Sequence, residues 1–145
     1  AQDPAPQATP RRPAPHLRPI PVEYLDPAAI YTLREVRDTP EFVCRMITEG
    51  AADIERIDVA LSQALLDRDL ASVHRQAHAM RGVSLSLGAV RLAGLSERLM
   101  KIGQRELDDA AEERHADLRK STDLSLAALE ALGQSFSSAG AASAG

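Results

Sequence analysis

Tryptophan is missing from this chain, and phenylalanine and tyrosine occur only twice each. With 3% aromatic residues against 44% hydrophobic ones, a core has to be built from Leu, Ile, Val, Ala and Met. Helix bundles are often made that way, whereas β-sandwiches draw on aromatic and β-branched side chains. Cysteine is nearly absent: Cys44 stands alone, which excludes an internal disulfide and a multi-cysteine zinc site. A lone thiol also suits a reducing, cytoplasmic setting. A surplus of positive charge is lacking. The 17 Lys and Arg residues against 21 Asp and Glu give a formal charge of -4, and the pI is about 5.5. Neither value fits the basic footprint of nucleic-acid binding. No apolar run approaches the ~18 residues of a membrane span, so no direct membrane insertion is expected. No basic segment followed by an apolar one opens the chain, as a secretory signal would. The first residue is not Met, so the expectation is a piece of a longer protein.

The 145 residues suffice for one domain with a proper core. Eight of the nine prolines lie between Pro4 and Pro27. Each fixes φ and removes a donor, so residues 1–23 are expected to form a flexible Pro-rich linker, a tether from an upstream domain. Residues 134–145 are rich in Ser, Ala and Gly and are expected to be a disordered tail. Residues 24–133 carry helical periodicity. A short leading helix is predicted over "DPAAIYTLREV", with Asp26 as N-cap and Pro27 in its first turn. Thr39-Pro40-Glu41 repeats that start signal. A long helix then runs to about Leu66, with Val43, Met46, Ile47, Ile54, Ile57, Leu61 and Leu65 on one stripe. Gly50 falls on that stripe, where it allows close helix contact.

The next helix is predicted from about Asp69 to Leu87, ended by Gly88. Another uses Leu92, Leu95, Leu99 and Ile102 and stops near Gly103. The last uses Leu107, Ala111, Leu118, Thr122, Ser125, Leu129 and Leu132. Short connections make sequential helices antiparallel neighbours. The predicted fold is all-α: an up-and-down antiparallel four-helix bundle with a short leading helix. Its stripes account for one bundle core, which predicts a monomer.

"HRQAHAMRGVSLSLGA", residues 74–89, carries the feature to explain. At about 100° per residue, Val73, Ala77, Met80, Ser84 and Leu87 share one direction, and His78 points about 140° away from it. Gly82 lies one turn beyond His78, and Arg81 three residues beyond. Glycine inside an exposed helix costs about 0.5–1 kcal/mol relative to Ala. Clearing space beside the imidazole for another protein's surface would explain that cost. Imidazole, with an ordinary pKa of about 6.5, keeps a nucleophilic lone pair near neutrality. A phosphoryl group on it would be negative, and Arg81 could hold it by a charge-assisted hydrogen bond.

The segment Ala77 to Met100, "AHAMRGVSLSLGAVRLAGLSERLM", resembles the histidine phosphotransfer (HPt) domain. That family's pattern is A-H-x-L-K-G-x-S-x-x-x-G-A followed by L-x-x-L-C-x-x-L-E. Ala77, His78, Gly82, Ser84, Gly88, Ala89, Leu92, Leu95 and Leu99 match it. Arg81 replaces the usual Lys, Met80 the usual Leu, and Ser96 the usual Cys. Met100 replaces the usual Glu or Gln, a larger change. The resemblance implies a phosphorelay intermediate. His78 would accept a phosphoryl group from a receiver-domain aspartate and pass it to another receiver aspartate. It implies no kinase activity of its own and no cofactor of its own, with Mg²⁺ on the partner receiver. It also implies a place at the C-terminal end of a bacterial hybrid sensor histidine kinase. The domain would then be cytoplasmic, tethered to the inner membrane through the upstream sensor.

The residues expected at the phosphate and partner surface are His74, Arg81, Gly82 and Leu85, which project from the same broad side as His78. Met100 and Gln104 join them from the following helix. In the family the Glu or Gln at the Met100 position is placed to bond the imidazole nitrogen that is not phosphorylated. Met100 cannot do this well, because its sulfur accepts weakly and donates nothing. Gln104, one turn further along the same predicted face, is expected to orient His78 directly or through water. Ser84 is expected to face the core and to bond back to the Met80 carbonyl. His115 is expected at the edge of the last helix's stripe, and His16 in the linker is expected to be inert.

Two other functions fit parts of the sequence. His74 and His78, at i and i+4, could share a metal ion, but "HRQAH" lacks the Glu of a metalloprotease helix and leaves at most a weak site. A non-catalytic helical interaction module would explain the bundle but not an exposed Gly82 beside His78.

Overall fold

A computed structural model describes residues 24–26, 28 and 39–143, with side chains described as far as residue 137. Four helices follow one another without a strand among these residues: α1, Pro40–Leu66; α2, Leu70–Leu87; α3, Val90–Leu99; and α4, Gln104–Ser143. Sequential helices pack side by side, and α4 closes the bundle against α1. The architecture is the up-and-down bundle predicted from the periodicity. The Pro-rich residues 1–23 and most of the expected leading helix lie outside the described residues. Of that segment, Asp26 Oδ1 accepts from the Ala28 N–H at 3.0 Å, as an N-cap would. Leu25 is fully buried in the core, and the Asp26 N–H donates to the Gly88 carbonyl.

α1 starts where Thr39-Pro40-Glu41 predicts, with Thr39 extended and Pro40 in the first turn, but the Thr39 hydroxyl makes no capping bond. Val43, Ile47, Ile54, Ile57, Leu61 and Leu65 are buried, while Met46 is half-buried against them. A Cβ on Gly50 would come within 2.5 Å of a Leu87 methyl carbon, so this glycine lets α1 and α2 approach closely.

α2 is capped at both ends by its own sequence. Asp69 Oδ1 accepts from the Ser72 N–H, and Oδ2 from the Ser72 hydroxyl at 2.7 Å. These bonds favour the carboxylate and pull the Asp69 pKa below its ordinary value, with Arg75 adding a smaller pull. At the other end Gly88 takes φ 72°, the left-handed conformation glycine accepts without strain. The Ala89 N–H then donates to the Ser84 carbonyl at 2.8 Å.

α3 is shorter than expected. It ends at Leu99 with Met100 as C-cap, so Ile102 is buried from the connecting loop rather than from the helix. α4 is longer than expected: the helix runs through residues 134–143 instead of dissolving at Gly133. Phe136 gives the reason, because it continues the Leu129–Leu132 stripe and is buried on the same core. α4 also bends at Ala110, whose φ of -127° leaves the helical region. Arg68, in the α1–α2 turn, binds on both sides of that bend, donating to the Asp108 carbonyl and to Glu112 at 2.9 Å. The Arg68 guanidinium holds the Glu112 carboxyl below its ordinary pKa.

One buried charge joins α1 to α4. Asp58 is 2% exposed, yet lies among the apolar residues of α1. Its carboxylate accepts a bond from the Arg119 guanidinium and a 3.2 Å bond from the Thr122 hydroxyl.

Candidate functional site

The stripe that buries α2 consists of Val73, Ala77, Met80, Ser84 and Leu87, the five residues the angular count selects. With that face fixed inward, His78 is turned out and exposed. Its ring forms no hydrogen bond with any described residue. A Cβ on Gly82 would meet nothing within 4 Å, so the turn beyond His78 is open space. Arg81 is half-buried and has no ion-pair partner among the described residues. Leu85, one turn past Arg81, is 50% exposed. Val90, on the far side of the Gly88 turn, is 42% exposed. Its signal in the sequence was an apolar residue two positions after a helix-ending glycine, off the Leu92–Leu95–Leu99 stripe.

His74 has a different role from the one expected of it. It is half-buried, and its Nε2 lies 2.8 Å from the Ile102 carbonyl oxygen. A carbonyl only accepts, so Nε2 carries the proton and the free lone pair of a neutral ring is on Nδ1. His74 therefore fastens the loop after α3 to the side of α2. Among the described residues no three His, Cys, Asp or Glu side chains come together as a metal site.

Met100 and Gln104 do not form the continuous face expected of them. That expectation required α3 to run on beyond Ile102, whereas α3 stops at Leu99 and Gln104 begins α4. Met100 is half-buried against the core. Gln104 donates both amide hydrogens elsewhere, to the Arg68 carbonyl at 3.1 Å and to Asp108 Oδ1 at 2.9 Å. It does not bond to His78, and neither does any other described residue.

Ser84 is fully buried as expected, but its hydroxyl has no partner among the described residues. The expected bond to the Met80 carbonyl is not made. Back-bonding of this kind occurs nearby, from Ser86 to the Gly82 carbonyl and from Ser96 to the Leu92 carbonyl. Ser84 thus serves the α2 packing face by its small size. His115 is half-buried on α4, at the edge of the stripe.

The site combines an exposed imidazole and a guanidinium three residues on, neither paired with a described residue, and open space at the turn beyond them. Chemically this is an exposed imidazole that can act as a nucleophile toward a group brought to it. A model of the Hpt domain family matches residues 41–135. Among solved structures, the crystal structure of histidine-containing phosphotransfer protein B (HptB) from Pseudomonas aeruginosa PAO1 is similar, with a TM-score of 0.67 and 22% identity. The likeness covers 77% of this chain and 95% of that one, and at this identity it concerns the fold. Among curated proteins nothing matches.

Proposed function

Because this chain belongs to the Hpt domain family, the phosphotransfer modules of phosphorelays, we propose that His78 is its phosphoacceptor. The observation that carries the proposal is the exposed His78 ring, without hydrogen bonds to described residues, beside the open turn at Gly82. In the proposed step a ring nitrogen of His78 attacks the phosphorus of a receiver's aspartyl phosphate. The N–P bond forms, the P–O bond to the aspartate breaks, and the aspartate leaves as a carboxylate. Deprotonation of the other ring nitrogen completes the exchange. Arg81 lies three residues on and would pair with the transferred group. The reverse sequence of bonds delivers the group to a second receiver.

Mg²⁺, in this proposal, belongs to the receiver and neutralises the phosphoryl oxygens there. No kinase activity is assigned to this chain. The composition of residues 1–23 favours a tether from an upstream sensor kinase, which would place the domain on the cytoplasmic side of the inner membrane. The domain is proposed to act as a monomer. The test is incubation with a phosphorylated receiver. The parent chain should gain a base-stable, acid-labile phosphate, and His78→Gln should gain none while keeping its helical spectrum. Equal uptake by both chains would reject the assignment.

A further inference from the structure

α2 differs from the helices around it in charge. Its 18 residues hold Arg75 and Arg81 and not one carboxylate. α1 carries five carboxylates against two guanidinium groups, and α4 eight carboxylates against four cations. The one carboxylate of α3, Glu97, has Lys101 at 3.6 Å. The chain as a whole stands at -4, so α2 runs against the balance of the molecule. α2 packs on α1 and α3, and α4 packs on the same two helices, which sets α2 and α4 diagonally across the bundle.

Arg75 and Arg81 stand three residues before and three after His78, about 60° to either side of it around the helix. Arg75 is exposed and donates to the Ser72 hydroxyl at 3.0 Å. Neither guanidinium has an ion-pair partner among the described residues. Asp69, the carboxylate nearest to His78 in sequence, is engaged by Ser72 at the start of the helix, about 13 Å away along the axis. The same exposed face offers the open turn at Gly82 and the half-exposed Leu85 for close contact. A partner with an acidic face is repelled by α1 and α4 and attracted by α2, so charge orients its approach. Two guanidinium groups are too few to track a nucleic-acid backbone, whose binding rests on many phosphate contacts. They suit a protein face of modest negative charge. Resting on the reading of His78 as phosphoacceptor, we propose that this face of α2 selects receivers whose surface around the phosphorylated aspartate is rich in carboxylates. Arg75, beside Arg81, is the specificity-determining residue.

The test measures binding rather than phosphate uptake. The isotopically labelled full chain carrying His78→Gln is titrated with a panel of unphosphorylated receiver domains. The tightest binder is then compared with a form of itself in which carboxylates beside the aspartate are replaced by their amides. The backbone amides of α2 around residue 78 should shift saturably, and the amide-substituted receiver should bind more weakly. At ~0.05 M salt, Arg75→Glu and Arg81→Glu should each weaken binding roughly fivefold, whereas Lys120→Glu, the same charge change on α4, should not. Near 1 M salt, where the Debye length is about 3 Å, the differences should vanish. These variants alter surface side chains, and an unchanged helical spectrum checks that each is folded. No saturable shift with any receiver, binding indifferent to both α2 reversals, or equal weakening by Lys120→Glu would overturn the proposal. Charge-dependent binding on α2 with no phosphate uptake by the parent chain would support this face and reject the phosphoacceptor reading.

Discussion

Glycine in the middle of a helix has a standing cost, and Gly50 and Gly82 bear it for opposite reasons. Gly50 faces the Leu87 side chain at a distance no Cβ could share, whereas Gly82 faces open space. Alanine at each site should therefore change stability in opposite directions. Gly82→Ala should stabilise by about 0.5–1 kcal/mol through helix propensity. Gly50→Ala gains the same propensity but forces Leu87, 2% exposed, to move inside a packed core. Overpacking costs roughly 1–3 kcal/mol, so a net loss of up to about 2 kcal/mol is expected in chemical denaturation. Gly82→Gln should keep or slightly raise the thermal midpoint while slowing phosphotransfer from a receiver. A normal transfer rate in that variant would remove the steric role given to Gly82. Both glycines were legible from periodicity alone, because their positions relative to the apolar stripes say which one is covered.

At the scale of the element, α2 owes its sharp limits to the Asp69 cap and the Gly88 stop. The Asp69 carboxyl has its pKa lowered in the folded chain by the Ser72 bonds. Its contribution to stability is therefore present above the ordinary carboxylate range and is lost as pH falls through the lowered value. Asp69→Ala should melt below the parent at neutral pH, and the gap should close in strongly acidic buffer. A gap independent of pH would show that the carboxylate charge is not what the cap uses. The end of α3 was not legible in the same way. Leu92, Leu95, Leu99 and Ile102 keep helical spacing, so the sequence pattern continues past the point where the backbone leaves the helix. A loop residue can fill the same core position, as Ile102 does. Extending the helix across that loop is what put Met100 and Gln104 on one continuous face, whereas Gln104 begins α4 and bonds to Arg68 and Asp108. The far end of α4 shows the converse: composition suggested a tail, but one apolar residue in register, Phe136, extends the packed face.

For the whole molecule, the bundle was readable because every helix buries one stripe and the connections are too short for anything but antiparallel neighbours. What periodicity did not reveal is Asp58, four residues from Ile54 and three from Leu61, on the buried side of α1. Its partners, Arg119 and Thr122, come from a helix some sixty residues later, so no local pattern announces them. Removing Asp58 leaves the Thr122 hydroxyl buried without this partner, while Arg119 stays half exposed and beside Asp123. Asp58→Ala should lower stability by roughly 1–3 kcal/mol, the range for a buried polar group that loses its partner, and Asp58→Asn by less. Urea unfolding followed by circular dichroism would measure both. Phosphate uptake at His78 should be unchanged at temperatures where the variants are folded, since the network lies between α1 and α4.

Direct location of the phosphate is the sharpest test. The full chain should be phosphorylated by a phosphorylated receiver, digested without exposure to acid, and the fragments identified by mass spectrometry. The phosphate should be found on His78 alone, on an imidazole nitrogen, with none on His74 or His115. Phosphate on another residue, or none on the chain after complete dephosphorylation of the receiver, would contradict the account.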